Sequence, residues 1–137
     1  MSRILVIDDD KFVRTSIRTV LQSVGHKVVE VGDADTGIDL HRNAPFDVVI
    51  VDLVMPNKEG LQTIRELKHE YPELPIVAIS GGGKIVRKNF VQTAELFGAA
   101  TTLEKPFGGE ELLNALEDAT TLALVYAKPN TPSTMNV

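Results

Sequence analysis

The sequence predicts an α/β domain built on a parallel sheet that is covered on both faces, and three observations carry the prediction. Short apolar runs rich in β-branched residues, the clearest over 47–51, suit strands buried on both sides. These runs alternate with segments whose apolar residues recur at helical spacing. The runs over 4–7, 47–51, 75–79 and 101–103 each end in charged or hydroxyl-bearing residues, at the sheet edge where open α/β folds collect their ligands.

The first strand, beginning by Arg3 with its buried run at 4–7, closes on Asp8-Asp9-Asp10. Val13, Ile17, Val20, Leu21 and Val24 then mark a helix that Gly25 stops, with Asp10 as its N-cap. Lys11, Arg14 and Arg18 share the other side of that helix, a spacing expected of a solvated charged face. Residues 27–31 read as the second strand. Residues 33–43 read as a short helix with a thin stripe of Ala34, Ile38 and His41, ended by Pro45. The strand over 47–51 stops at Asp52, and Pro56 and Gly60 break the loop beyond it. Leu61, Ile64, Leu67 and Tyr71 give the next helix, closed by Pro72 and Pro75.

The run at 75–79 ends at Ser80 and three glycines, whose few steric limits would let Ser80 be repositioned. A helix with Val86, Phe90, Ala94 and Phe97 follows and stops at Gly98. The strand at 101–103 leads to Glu104, Lys105 and Pro106. Glu110-Glu111 then open a helix, where negative charge suits the N-terminus, with Leu112, Leu113, Leu116, Ala119 and Ala123 as its inner stripe. The domain is expected over 1–127, and 128–137, with little to bury, as a disordered tail. With no output domain following, a signal would leave through the domain's own surface, unless the chain is part of something longer.

At 137 residues there is room for one ordinary core. Nineteen acidic residues against 14 basic ones give a net charge of −5 without a basic run, which argues against nucleic-acid binding. The chain has no cysteine and hence neither disulfides nor a thiolate metal site. Without a membrane-length apolar run or room for a signal peptide, a soluble cytoplasmic protein is expected. His26, His41 and His69 share no spacing, and surface or boundary positions are expected for them.

Asp52 could merely cap a loop, as many aspartates do. Four strand ends that together offer carboxylates, a hydroxyl and an ammonium point instead to a phosphoryl site. The ordered set Asp8-Asp9, Asp52 with Met55-Pro56 and Gly60, Ser80, and Lys105-Pro106-Phe107 resembles the receiver domain of two-component response regulators, over roughly 3–125. Within that family it looks most like stand-alone receivers of the chemotaxis type. The resemblance implies a doubly wound, flavodoxin-like (βα)5 fold with five parallel strands in the order 2-1-3-4-5. It also implies a phosphoryl group received on Asp52 from a histidine kinase or a histidine phosphotransfer protein.

A carboxylate attacking an anionic phosphoryl group needs a divalent cation between them, and Mg²⁺ prefers oxygen ligands. By resemblance, Asp9, Asp52 and the Val54 carbonyl hold the ion, with Asp8 acting through water. Lys105 would pair with one phosphoryl oxygen, Ser80 would donate to another, and Lys105-Pro106 would be a cis peptide. Phosphorylation would then move Ser80 and its loop and shift the surface formed by the helix over 86–97, the strand at 101–103 and the helix after it. In the family, the first helix helps dock the phosphodonor, so the basic stripe would contribute to donor choice.

The chain departs from the family pattern in two respects. Thr102 stands where most receivers carry the aromatic that turns inward on activation. Ala100-Thr101 replaces the acidic pair of the branch that dimerises through its last two helices, so a monomer is expected. By the resemblance, the positions flanking the path of a hydrolytic water are those of Val54 and Gly82, neither of which has a side chain that can orient it, which predicts a long-lived acyl phosphate. The expectation is therefore a phosphoacceptor signalling domain rather than an enzyme, acting on an unknown downstream protein. The alternatives are a pseudo-receiver that binds without phosphorylation and a haloacid dehalogenase-type phosphatase using Asp8-Asp9-Asp10.

Overall fold

The computed structural model describes residues 1–53, 60–81, 94, 95 and 97–127, without the side chains of 124–127. Along the chain come β1 (Arg3–Ile7), α1 (Lys11–Ser23), β2 (Lys27–Val31), α2 (Ala34–Asn43), β3 (Val48–Asp52), α3 (Gly60–Glu70), β4 (Ile76–Ser80), β5 (Thr101–Glu104) and α4 (Gly109–Ala127). All five strands pair in parallel in the order β2-β1-β3-β4-β5, as expected.

The pleat sends alternate residues to opposite sides and so builds two cores. Ile4, Val6, Val48, Ile50, Val77 and Ile79 meet Ile17 and Leu21 of α1 and Leu112 and Leu116 of α4. Leu5, Ile7, Val49, Val51, Ile76 and Ala78 meet Ala34 and Ile38 of α2 and Ile64 and Leu67 of α3. Every residue of β3 and β4 is buried, which is why these segments read as unbroken apolar runs. Each fully buried Ile or Leu contributes about 1.5–3 kcal/mol, so the central strands form a stiff platform for whatever sits at their ends.

Local signals set the helix ends. The Asp10 carboxylate accepts from the amides of Phe12 and Val13, and Asp33 accepts from Thr36, so both are N-caps. The two glycines expected to stop helices, Gly25 and Gly98, have φ of 95° and 118°, a region that L side chains rarely adopt. Val24 departs from its expected place in the α1 stripe. It is the C-cap and is half exposed, because the helix has already ended. Of the helix expected over 86–97, only Ala94, buried, and Glu95 and Phe97 fall among the described residues. The segment 128–137 lies outside them. Among the described residues no helix is long and apolar enough to cross a membrane.

Two expectations fail for tertiary reasons. His41 is buried, not peripheral: its Nδ1 accepts from the Phe46 amide at 3.0 Å and its ring stands edge-on to Tyr71 at 4.4 Å. Burial, reinforced by Arg3, holds its pKa below the ordinary histidine value. The basic stripe of α1 is not simply solvated. Arg14 and Arg18 both bind Glu30 of β2, at 3.0 and 2.5 Å, while Lys11 is exposed.

Candidate functional site

In the strand order, β1 and β3 are neighbours from which the chain winds outward in opposite directions, leaving a crevice beyond their carboxyl ends. Asp8 directly follows β1 and Asp52 is the last residue of β3. Both are buried, at 0% and 5% exposure, whereas Asp9 is exposed at the rim. Carboxylate oxygens of Asp8, Asp9 and Asp52 lie within 4.8 Å of one another.

Lys105 reaches this cluster from the turn after β5. Its ammonium is 3.6 Å from Asp8 Oδ2 and 3.7 Å from Asp52 Oδ2. The Lys105 amide donates to the Ser80 carbonyl at 2.8 Å, tying the ends of β4 and β5 together, and the Lys105–Pro106 peptide is cis. Ser80 is the last residue of β4 and is buried, and its hydroxyl has no hydrogen-bond partner among the described residues. Thr102 is half-buried on β5 opposite Ala78, two residues before the strand end. Val54, Met55, Pro56 and Gly82 lie outside the described residues.

The electrostatics are unbalanced. Among the described residues three carboxylates face one ammonium, an excess of two negative charges, and two like charges no more than 4.8 Å apart repel by roughly 3.5 kcal/mol or more at an effective dielectric of about 20. Asp8 registers the imbalance. Burial, the largest effect, lifts its carboxyl above the ordinary aspartate range, and the Asp10 amide and Lys105 recover only part of the loss. Its Oδ1 accepts from the Asp10 amide at 2.9 Å, while Oδ2 is buried with no hydrogen bond among the described residues. An all-oxygen cluster in which a buried carboxylate oxygen has the Lys105 ammonium at 3.6 Å but no hydrogen bond among the described residues, and which carries two negative charges in excess there, fits a hard divalent cation.

Two residues named in the sequence take roles at the site that the sequence reading did not assign them. Gly60 donates its amide to the Leu53 carbonyl at 3.0 Å and lies so close to β3 that a Cβ there would stand 2.1 Å from the Asp52 carbonyl oxygen. It lets α3 start directly against the strand end that carries Asp52. Arg14 donates from Nη1 to the Asp8 carbonyl at 2.8 Å. The available signal was Glu30, an acid inside the apolar run of β2, which calls for a cationic partner on the helix that covers it.

Comparison with known proteins places this geometry. A family model described as the response regulator receiver domain matches residues 4–117. Response regulator MprA of Mycobacterium sp. (strain KMS) is 37% identical over 111 residues, covering 81% of this chain and 47% of the relative. The chain thus spans about half the length of that curated relative. The receiver domain of NtrX from Brucella abortus superimposes with a TM-score of 0.80 at 32% identity, covering 86% of this chain and 98% of the other. The Vibrio cholerae chemotaxis protein CheY4 gives 0.78 at 28% identity, with 87% and 98% covered.

Proposed function

Because the chain belongs to the response regulator receiver domain family, we propose that residues 1–127 form a receiver that takes a phosphoryl group on Asp52 in a Mg²⁺-dependent reaction. The observation that carries this reading is the Lys105 ammonium standing 3.6 and 3.7 Å from Asp8 and Asp52, with the buried Ser80 hydroxyl, unpartnered among the described residues, on the neighbouring strand end.

An Asp52 carboxylate oxygen attacks the phosphorus of a phosphohistidine, or of a small acyl phosphate. The bond from phosphorus to the donor atom breaks, the leaving group departs with its electron pair, and Asp52 becomes an acyl phosphate. Lys105, now an ion-pair partner of two carboxylates, turns to the phosphoryl oxygens. The Ser80 hydroxyl donates to another of them. Asp8, Asp9 and Asp52, together with the Val54 carbonyl, would hold Mg²⁺, which supplies the positive charge that lets two anions approach. Self-phosphorylation and slow self-dephosphorylation are the only chemistry assigned to the chain.

Phosphorylation pulls on Ser80 and Lys105 and so on the ends of β4 and β5. The response is read from the surface that β5, α4 and the segment between β4 and β5 present to a downstream protein. We place the protein in the cytoplasm as a monomer, with a histidine kinase or histidine phosphotransfer protein as donor. Family membership removes the support for a haloacid dehalogenase reading. Incubation with Mg²⁺ and acetyl phosphate, followed by intact-mass measurement, should add one phosphoryl group to wild type and none to Asp52→Asn. Equal labelling of the two proteins would refute the acceptor assignment, and no labelling of either would favour a pseudo-receiver.

A further inference from the structure

The Asp8 carbonyl lies where β1 gives up its ladder. The Asp8 amide still donates to Val31 at 3.2 Å, but the chain then turns, and the next amide contact is local, from Asp10 to Asp8 Oδ1. A carbonyl in that turn needs a donor, and the orientation of its peptide plane decides where the Asp9 side chain points. Arg14 provides the donor, about one turn into the helix that Asp10 caps. Its Nη1 bonds the Asp8 carbonyl at 2.8 Å while its Nε bonds Glu30 at 3.0 Å.

Glu30 is held from a second direction by Arg18, at 2.5 Å. The side chains of Arg14 and Glu30 are only 17% and 18% exposed, so water competes weakly for either contact. Gly32 completes the seat. A Cβ there would stand 3.1 Å from Arg14 Nη1, so this position leaves just enough room for the guanidinium. Residues from α1, β2 and the turn after β2 thus converge on one backbone carbonyl between two carboxylates.

We infer that Arg14, locked by Glu30 and seated against Gly32, is a positioning residue that fixes the Asp8–Asp9 peptide and thereby sets the affinity of the acidic cluster for its cation. The inference rests on the Mg²⁺ reading given above and adds a control point outside the ligand set. It also opposes simple electrostatics. A positive charge beside a cation site repels the cation, so the field of Arg14 alone would weaken binding, and removing it would tighten binding. Positioning predicts the opposite sign, because a peptide free to rotate no longer presents both carboxylates together.

Mg²⁺ titrations of wild type, Arg14→Gln, Arg14→Lys and Gly32→Ala, read by calorimetry and by amide chemical shifts, separate these effects. Urea unfolding of each variant identifies the folded fraction. Positioning predicts roughly tenfold weaker binding in Arg14→Gln. It predicts a similar loss in Arg14→Lys, since a point charge cannot serve the carbonyl and Glu30 as a planar fork does. Gly32→Ala changes no charge and displaces only the guanidinium, and it should weaken Mg²⁺ a few-fold. Tighter binding in Arg14→Gln, or unchanged affinity in folded Arg14→Lys and Gly32→Ala, would overturn the inference while leaving the metal site standing. Absence of Mg²⁺ binding by wild type would overturn both. Should the Arg14 variants fail to fold, Gly32→Ala decides alone.

Discussion

Gly60→Ala is the substitution on which helix propensity and packing disagree most sharply. Alanine is the better helix former by up to about 1 kcal/mol, and Gly60 opens α3 without a positive φ, so propensity predicts stabilisation. Packing predicts the reverse. The new Cβ would stand 2.1 Å from the Asp52 carbonyl oxygen and 2.5 Å from Leu53 Cα, where ordinary contact begins at 3.4 Å. Both obstacles are backbone, so α3 and the end of β3 must separate by about 1 Å. Overpacking of this kind costs about 1–3 kcal/mol, and losing the bond from Gly60 N–H to the Leu53 carbonyl adds about 1 kcal/mol. After the propensity gain, a net loss of about 2 kcal/mol is expected in urea unfolding. The same displacement carries Asp52 out of line, and a misplacement of about 1 Å costs on the order of a hundredfold in rate. Phosphorylation from acetyl phosphate should therefore slow more than stability alone explains. Two further glycines calibrate the series. Gly109→Ala meets Val20 methyls at 3.4 and 3.5 Å and should be neutral or stabilising, whereas Gly37→Ala meets side chain rather than backbone, Ile7 Cδ1 at 2.6 Å and Cγ1 at 2.8 Å, and should fall between. A Gly60→Ala protein as stable as wild type, with an unchanged phosphorylation rate, would refute the reasoning.

Four other outcomes are expected. Asp8→Asn should make the metal-free protein more stable at neutral pH while weakening Mg²⁺. The raised pKa means that Asp8 favours folding fully below about pH 3.8 and loses that contribution as pH rises through its folded value, so the gain should vanish in acid. Lys105→Ala should leave Mg²⁺ bound but destabilise the metal-free protein, by about 1–3 kcal/mol, because the Asp8 and Asp52 carboxylates lose their ammonium partner; parallel melts with and without Mg²⁺ test this. The lowered pKa of His41 means its contribution is present above about pH 6.5 and lost as pH falls below it, when protonation of Nδ1 would also break the bond from Phe46; a His41→Leu protein should lack that acid-side decline in urea unfolding from pH 7.5 to 5. Val54→Asn should shorten the lifetime of the acyl phosphate by supplying a group that orients water, measured as decay after the donor is removed, and a variant that decays no faster would count against the expected long lifetime.

By itself the sequence determined what depends on neighbours along the chain. Buried runs, helical spacing, the Asp10 and Asp33 caps and the glycine stops at Gly25 and Gly98 are written within a few residues of where they act, because capping and backbone conformation are local. The chemistry at the strand ends was legible for a related reason: parallel strands all deliver their carboxyl ends to one edge, so Asp8, Asp52, Ser80 and Lys105 had to share it. Only the tertiary structure decided which side chain meets which. Periodicity says that Arg14 and Arg18 share a face, but not that β2 offers Glu30 to both of them, nor that Arg14 reaches back to the Asp8 carbonyl. It left His41 looking peripheral on a thin stripe, whereas the packing of α2 beside Phe46 and Tyr71 buries the ring and gives its Nδ1 a backbone donor. Gly60 read as a loop breaker, yet its lack of a Cβ is required by a strand end eight residues earlier that α3 folds back to touch. Such contacts join elements whose approach is set by the packing of the whole domain, and no local pattern of residues encodes that distance.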